Sequence, residues 1–203
     1  MGHNPSRLNN PRHPVERVSW LRVQDFLKAL NGVGRPFWFD LPTEIQWEYA
    51  CRADSNEAIY PTSNSETTAK LDTTGMLARI AWYSENSFQL AKEEEMHADG
   101  RPSKQARVRK QPHPVGLKLP NTWGVYDMLG NVCEWCKTPM FPYPLDAVDK
   151  EVILSNLEQS RVVRGGGYHS PVRDVRCAYR FSDRSYHEDS DLGFRLVRVQ
   201  EPS

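Results

Sequence analysis

Two cysteines stand two residues apart in the stretch VYDMLGNVCEWC, which runs from Val125 to Cys136. A Cys-x-x-Cys pair is typical of half a structural zinc site or of a redox disulfide. Zinc needs two further ligands, yet the chain contains no second Cys-x-x-Cys pair. A redox pair normally opens a helix after a strand, whereas the glycine and aromatic residues here indicate an irregular turn. We therefore expect Cys133 and Cys136 to be core residues.

Other catalytic patterns are missing from the sequence. The six histidines are scattered, and none stands at ligand spacing with another. No Ser-His-Asp arrangement, phosphate-binding loop or dinucleotide motif can be recognised. The remaining candidates for catalysis or metal binding are the thiols of Cys51 and Cys177.

The composition describes an ordinary globular domain. The chain has 203 residues, and its 26 basic and 26 acidic side chains leave a net charge of zero. Neither a nucleic acid nor an anionic membrane is therefore an expected partner. No apolar run approaches the roughly 18 to 20 residues of a membrane helix, and the N-terminus lacks a secretory signal. Four cysteines are too few for a disulfide scaffold, which predicts a single cytoplasmic domain with reduced thiols.

Two helices are predicted early in the chain. Ser19 can cap the first helix, because apolar residues follow it at helical spacing. TEIQWEYACRA is the second helix, with Thr43 and Gln46 at the spacing of a capping box. Its buried face is predicted to consist of Ile45, Tyr49 and either Trp47 or Ala50.

The later part of the chain predicts short strands between long loops. Residues 54–76 are predicted to be loop, and residues 92–111 a solvated insertion within the domain. The strands are predicted in SRVVRGGGY, VRCAYR and LGFRLVRVQ. The fold class is therefore α+β, with two helices packed on short antiparallel strands.

Six motifs in this order resemble one known family. They are HPVERVSW, LPTEIQWEYACRA, NTWGVYDMLGNVCEW, RVVRGGGY, RCAYR and LGFRLV. The chain is identified by them as a member of the sulfatase-modifying-factor family, the formylglycine-generating-enzyme domain. The resemblance covers almost all of residues 1–203 and implies a C-type-lectin-like fold. Members usually have a few tens of residues before the MGxNPS segment, so the usual first strands are expected to be missing.

The resemblance raises the question of copper catalysis. In the copper branch of the family two cysteines hold the metal and a sulfatase cysteine is oxidised to formylglycine. Cys177 in RCAYR resembles the second of these cysteines, but the partner expected near Val172 is missing. One thiolate alone is a poor Cu(I) site. Cys177 is therefore expected to be a small buried strand residue, and copper catalysis stays an alternative.

The resemblance also implies a structural Ca²⁺ site. Its ligands would be the Asp127 side chain, the carbonyls of Gly130 and Val132, and the Glu134 carboxylate. Ca²⁺ takes about six to eight oxygen ligands, including backbone carbonyls. The alternative is that both carboxylates accept hydrogen bonds from backbone amides.

The C-terminal region is predicted to carry the ligand site. In a non-catalytic, hypervariable branch of the family this region is displayed, and FSDRSYHEDSD is polar, aromatic and free of helix or strand signals. The predicted ligand-binding residues are Tyr168, His169, Arg173, Tyr179, Arg180, Tyr186 and His187. Arg180 and Arg195 are also expected to anchor carboxylates or carbonyls inside the fold.

Three functions follow from these observations. The leading prediction is a non-catalytic module that binds a peptide or protein, because the copper cysteine pair is incomplete. A formylglycine-generating oxidase is the first alternative. A hypervariable binding protein of a diversity-generating retroelement is the second.

Overall fold

Within the described residues, the fold consists of three α-helices and eight short strands. The computed structural model describes residues 4–32, 34, 36–62, 73–90, 108–143 and 160–200. The helices are α1 (Trp20–Asn31), α2 (Glu44–Arg52) and α3 (Thr73–Ile80), and a 3₁₀ turn spans Val172–Asp174. Helix α3 corrects the predicted loop over residues 54–76 at positions 73–76, because Leu77 and Ile80 bury one face of this helix in the core. Residues 63–72 of that predicted loop lie outside the described residues. Among the described residues, no helix is long and apolar enough to cross a membrane.

The first two helices begin where their capping residues predict. The Ser19 side chain accepts a hydrogen bond from the Arg22 amide, and Thr43 and Gln46 form the reciprocal capping box.

The buried face of α2 differs from the prediction. Helix α2 buries Glu44, Trp47 and Cys51, whereas Ile45 and Tyr49 are 66% and 63% exposed. The prediction was wrong for Ile45 and Tyr49 because it ranked side chains by apolarity. Glu44 is instead stabilised inside the fold by arginines.

In the part of the chain that the structure describes, the strands form three sheets. Their bounds are β1 (Trp38–Asp40), β2 (Phe88–Leu90), β3 (Val108–Lys110), β4 (Cys133–Pro139), β5 (Ser160–Arg164), β6 (Arg180–Arg184), β7 (Leu192–Gly193) and β8 (Val197–Val199). The pairs β1–β8 and β2–β3 are antiparallel. The central sheet has the order β6-β5-β4-β7, in which the β4–β7 pair is parallel. Strand β3 falls within the predicted solvated insertion, and residues 92–107 lie outside the described residues.

Three strand predictions need correction. The stretch CEWC lies in strand β4 rather than in an irregular turn, because β5 and β7 supply backbone partners on both sides. Residues 175–178 of VRCAYR form a bend and a turn rather than a strand. Val175 and Cys177 are nevertheless buried and Arg176 is exposed, as the alternation predicted. Strand β6 begins only at Arg180 and covers residues predicted to lack regular structure.

Two apolar cores lie on opposite faces of the central sheet. The α2 core contains Trp47, Cys51, Leu77, Leu129, Cys136, Val162 and Cys177, among others. The α1 core contains Val18, Val23, Leu27, Cys133, Trp135 and Val163, among others. Neighbouring strand residues such as Val162 and Val163 point to different cores, since side chains alternate along a strand. The loops that leave β5 and β6 therefore start from a sheet packed on both faces.

Candidate functional site

The Cys-x-x-Cys pair is split between the two cores. Cys133 belongs to the α1 core and Cys136 to the α2 core, and both are almost fully buried. Three positions along a strand reverse the side of the sheet, so the two thiols cannot share a zinc ion or close a disulfide. Burial raises the pKa of both thiols well above its usual range. The prediction that these cysteines are core residues is confirmed.

Cys177 has a different thiol as its neighbour. The Cys51 Sγ, in the last turn of α2, lies 3.6 Å from the Cys177 Sγ and donates a hydrogen bond to it. The sequence contains no thiol near Val172 that could be a partner of Cys177. In the structure the neighbouring thiol belongs to Cys51, which is 126 positions away in the chain. Both residues are fully buried in the α2 core.

The two thiols of this pair have opposite pKa shifts. Burial raises the pKa of the Cys51 thiol well above its usual range. The hydrogen bond that Cys51 donates, together with the charge of Arg52, lowers the pKa of the Cys177 thiol. Two thiolates are a donor set that suits Cu(I), so the chemistry of the pair fits copper. The arrangement nevertheless offers no solvent-exposed sulfur to a substrate.

A network of buried charges joins α2 to strands β5 and β6. Arg164 is fully buried, forms ion pairs with Glu44 and Glu48, and donates to the carbonyl oxygens of Cys177 and Tyr179. Arg180 donates to both oxygens of Glu44 at 2.6 Å. The sequence predicted that Arg180 would bind acceptors inside the fold, but it did not predict this for Arg164. The feature that could have indicated it is the position of Arg164 at the end of the apolar strand RVVR.

A second anchor surrounds the predicted calcium ligands. Arg195 donates to both oxygens of Glu134 and to the carbonyls of Tyr126 and Asp127. Trp47 Nε1 also donates to Glu134, at 2.6 Å. The prediction that Arg195 anchors internal acceptors is confirmed. Glu134 accepts three hydrogen bonds, and a carboxylate offers about four lone-pair positions, so one further position is left for a cation.

A cavity of about 510 Å³ opens beside this anchor, and Asp127, Val132 and Glu134 are among the residues that line it. Asp127 Oδ2 accepts a hydrogen bond from the Gly116 amide, while Asp127 Oδ1 is buried without a partner. A buried carboxylate oxygen without a donor fits a bound cation. Within the described residues, no cluster of three or more His, Cys, Asp or Glu side chains could hold a metal ion. A Ca²⁺ ion here would therefore depend on backbone carbonyls as well as on Asp127 and Glu134.

The predicted ligand-binding residues separate into displayed and supporting ones. Four of them form what we call the display surface: His169, Arg173, Tyr186 and His187, which are exposed or half-exposed. Tyr168 is only 4% exposed, and Arg180 is held by Glu44 and the Phe141 carbonyl. Tyr179 is half-buried, with its ring 5.9 Å from that of Phe181. Tyr168 and Arg180 are therefore packed or ion-paired inside the fold and are not displayed to solvent in the way that the other four residues are.

The display surface is carried by two C-terminal segments, residues 168–173 after β5 and residues 186–190 after β6, which leave opposite ends of the antiparallel β5–β6 pair. The rings of Tyr168 and His169 are 4.2 Å apart, and Tyr168 hydrogen-bonds with Ser190. The His187 Nε2 lies 3.5 Å from an oxygen of Asp183 and 3.8 Å from one of Asp189. Burial raises the pKa of the Asp191 carboxyl, and the nearby Asp189 raises it further. The two segments thus offer imidazole, phenol and carboxylate groups.

The sequence and the fold are similar to those of known proteins. The chaperone protein LppX of Paenibacillus barcinonensis is 25% identical over 98% of this chain and 74% of its own length. The formylglycine-generating enzyme of Bos taurus is 28% identical over 100% of this chain and 48% of its own length. The chain thus spans about half the length of the bovine enzyme.

A solved structure, Treponema denticola variable protein 1, superimposes with a TM-score of 0.67 at 24% identity, over 97% of this chain and 77% of that one. This likeness shows that the fold is the predicted C-type-lectin-like α+β fold. The family model of the sulfatase-modifying factor enzyme 1-like domain matches residues 1–200. This chain therefore belongs to the sulfatase-modifying factor enzyme 1-like domain family.

Proposed function

We propose that this domain is a non-catalytic module that binds a peptide or protein at the display surface. One observation carries the proposal: Cys177 is fully buried, while His169, Arg173 and Tyr186 are exposed on loops nearby in the sequence. The residue with the chemistry of the copper branch is thus withdrawn from solvent, and the residues suited to recognition are presented to it.

Burial matters here because a substrate cysteine must reach a catalytic thiol or the metal that the thiol holds. The Cys177 sulfur faces Cys51 inside the α2 core. Its backbone N–H donates to the Ala58 carbonyl at 2.8 Å, and its carbonyl accepts from Arg164 at 3.0 Å. These bonds hold the residue in place, which supports a structural role for Cys177.

The display surface has the properties of a recognition site. Tyrosine and histidine supply contact area and adaptable hydrogen bonds, and loops on a rigid sheet commonly carry binding residues. The supporting side chains Tyr168 and Arg180 are packed or ion-paired. A relative named a chaperone protein agrees with a protein ligand.

Panning a phage library of random linear peptides on the purified protein tests this proposal. We expect enriched peptides that bind with micromolar affinity and lose at least about tenfold affinity on Tyr186→Ala or Arg173→Ala. The matched control is Tyr49→Ala, since Tyr49 is equally exposed but lies on the outer face of α2. Peptides whose binding survives both display-surface variants would contradict the proposal.

A formylglycine-generating oxidase is the second candidate, favoured by relatives of that name. Copper would be held by Cys177 and Cys51, and it would supply the oxidation chemistry. Incubation with Cu(I), dioxygen and a Cys-x-Pro-x-Arg peptide tests this candidate by mass spectrometry. Formation of the aldehyde, lost on Cys177→Ser but kept on Cys136→Ser, would replace the leading proposal.

A hypervariable binding protein is a narrower form of the leading proposal. The displayed residues fall on two short segments, 168–173 and 186–190, and both are supported by the central sheet. Sequencing the gene from closely related strains tests this form. It predicts substitutions concentrated in these two segments, and substitutions spread evenly along the chain would contradict it.

A further inference from the structure

The outer face of α2 carries an apolar surface that the proposed binding function does not use. Ile45 and Tyr49 stand one helical turn apart, and both are more than half exposed. Trp123 is 42% exposed and continues this row at the C-terminal end of the helix, where its ring lies 4.9 Å from that of Tyr49. We call these three residues the α2 ridge. Large aromatic side chains left in contact with water are typical of protein–protein contact surfaces.

Hydrogen bonds hold Trp123 in place at the end of the ridge. Asn121 Nδ2 donates to the carbonyls of Ala50 and Cys51, at 2.7 Å and 3.3 Å, and Asn121 Oδ1 accepts from the Trp123 N–H at 3.1 Å. The indole Nε1 donates to Asp54 Oδ2 at 3.2 Å. Because the indole is already ordered, little conformational entropy is lost when a partner covers it.

A pocket of about 190 Å³ opens at the other end of the ridge, where α2 begins. Ile45, Phe141 and Tyr143 are among the residues that give it apolar walls. Arg180 also lines it, with its guanidinium carbon 4.5 Å from the centre of the Tyr143 ring. Since Ile45 belongs to both the pocket and the ridge, the apolar surface is continuous from this pocket to Trp123. The ridge therefore has a hole at one end and an exposed indole at the other.

The charges at the two ends of the ridge are opposite. At the pocket end, two arginines, one of them Arg180, form ion pairs with the single carboxylate of Glu44. The positive end of the α2 dipole adds to this charge. At the indole end, Arg52 is paired with Glu48 inside the helix, whereas the exposed Asp54 contributes a negative charge.

We propose that a second copy of this chain covers the α2 ridge, with the two α2 helices antiparallel. A two-fold axis near Tyr49 exchanges the two ends of the ridge, so the Trp123 indole of each copy enters the pocket of the other. The same axis places each Asp54 at the positive end of the facing helix. The zero net charge of the chain adds no long-range repulsion between copies. A ridge of three side chains gives a small interface, as in weak, reversible dimers.

Sedimentation equilibrium of the full chain over a range of concentrations tests the proposal. We expect the mass to rise from one chain toward two, with a dissociation constant of about 10–100 µM. Ile45→Glu should weaken association at least about tenfold, because its carboxylate would face an indole and the Asp54 charge. Leu21→Glu is the matched control, since Leu21 is also exposed but lies on α1, and it should keep the dimer. A native chain that stays monomeric at millimolar concentration would overturn the proposal.

A pair of variants tests the antiparallel arrangement itself, in which residue 45 of one copy faces residue 123 of the other. Ile45→Glu and Trp123→Lys should each associate weakly alone. Their equimolar mixture should regain nearly native association, because one contact becomes a Glu–Lys ion pair and the other stays native.

Both variants change exposed side chains, so their melting temperatures should stay within about 3 °C of the native value. A mixture that associates no better than the separate variants would overturn the antiparallel dimer, as would native association by Ile45→Glu alone. The readout is mass rather than peptide affinity. This proposal can therefore fail while peptide binding at the display surface stands.

Discussion

Arg195 and Glu134 form a bidentate ion pair, in which Nε and Nη2 of the guanidinium each donate to a carboxylate oxygen at 2.7 Å. Glu134 is only 5% exposed, so its charge depends on this partner and on Trp47 Nε1. The pair ties the segment after β7 to strand β4. It also borders the cavity that contains Asp127.

Arg195→Met should strongly destabilise the fold, because it leaves the Glu134 charge buried without a cation. The expected loss in the free energy of unfolding is about 3–5 kcal/mol. Urea denaturation followed by tryptophan fluorescence measures it. Lys28→Ala is the control, since Lys28 forms an exposed pair with Asp25 and should cost about 0.5 kcal/mol or less. Similar small losses in both variants would show that the buried pair contributes little.

Gly130→Ala should be far more damaging than Gly116→Ala. Both glycines have left-handed backbone, with φ of 77° and 75°. A Cβ on Gly130 would collide with the Trp82 backbone, whereas one on Gly116 would meet nothing within 4 Å. We expect losses of about 3 kcal/mol or more for Gly130→Ala and about 1 kcal/mol for Gly116→Ala. Equal losses by thermal unfolding would mean that the contact with Trp82 is not a constraint.

Ca²⁺ should stabilise the protein through Asp127. Its Oδ1 is buried without a hydrogen-bond donor in a cavity that Glu134 also lines. Adding Ca²⁺ at about 100 times its dissociation constant should raise the melting temperature by roughly 5–10 °C over protein kept in chelator. Asp127→Asn should abolish this response, and Asp25→Asn, at an exposed site, should keep it. An unchanged melting temperature in the native protein would rule out this site.

Asp191 should make stability depend on pH. Burial, reinforced by Asp189, raises the pKa of the Asp191 carboxyl in the folded state above its ordinary value of 3.8. The folded protein therefore holds this proton more tightly than the unfolded chain does. The resulting stabilisation is fully present below the ordinary value and is lost as the pH rises through the raised value.

Asp191→Asn should therefore raise the melting temperature at pH 7, and this gain should shrink as the pH falls through the raised pKa of Asp191 and be lost below the ordinary value of 3.8. Thermal unfolding from pH 3 to pH 7 measures the difference between variant and native protein. Asp25→Asn, at an exposed site, should show no such trend. A gain that stays constant across this range would show that the Asp191 charge does not cause it.

Local patterns in the sequence determined the family, the fold class and the start of both early helices. Capping at Ser19 and Thr43 depends on residues three positions away, which a linear sequence displays directly. The internal roles of Arg180 and Arg195 were also predictable, because each follows apolar strand residues in a recognisable motif.

Tertiary structure alone decided which side chains meet. Cys51 and Cys177 touch because α2 packs on the central sheet, and no spacing in the sequence encodes a contact across 126 positions. Packing also buried Glu44 and exposed Ile45. A pattern based on apolar residues places Glu44 at the surface, but Arg164 and Arg180 from the central sheet stabilise its carboxylate inside the fold. Strand alternation in β4 likewise separated Cys133 from Cys136, once β5 and β7 had made that stretch a strand.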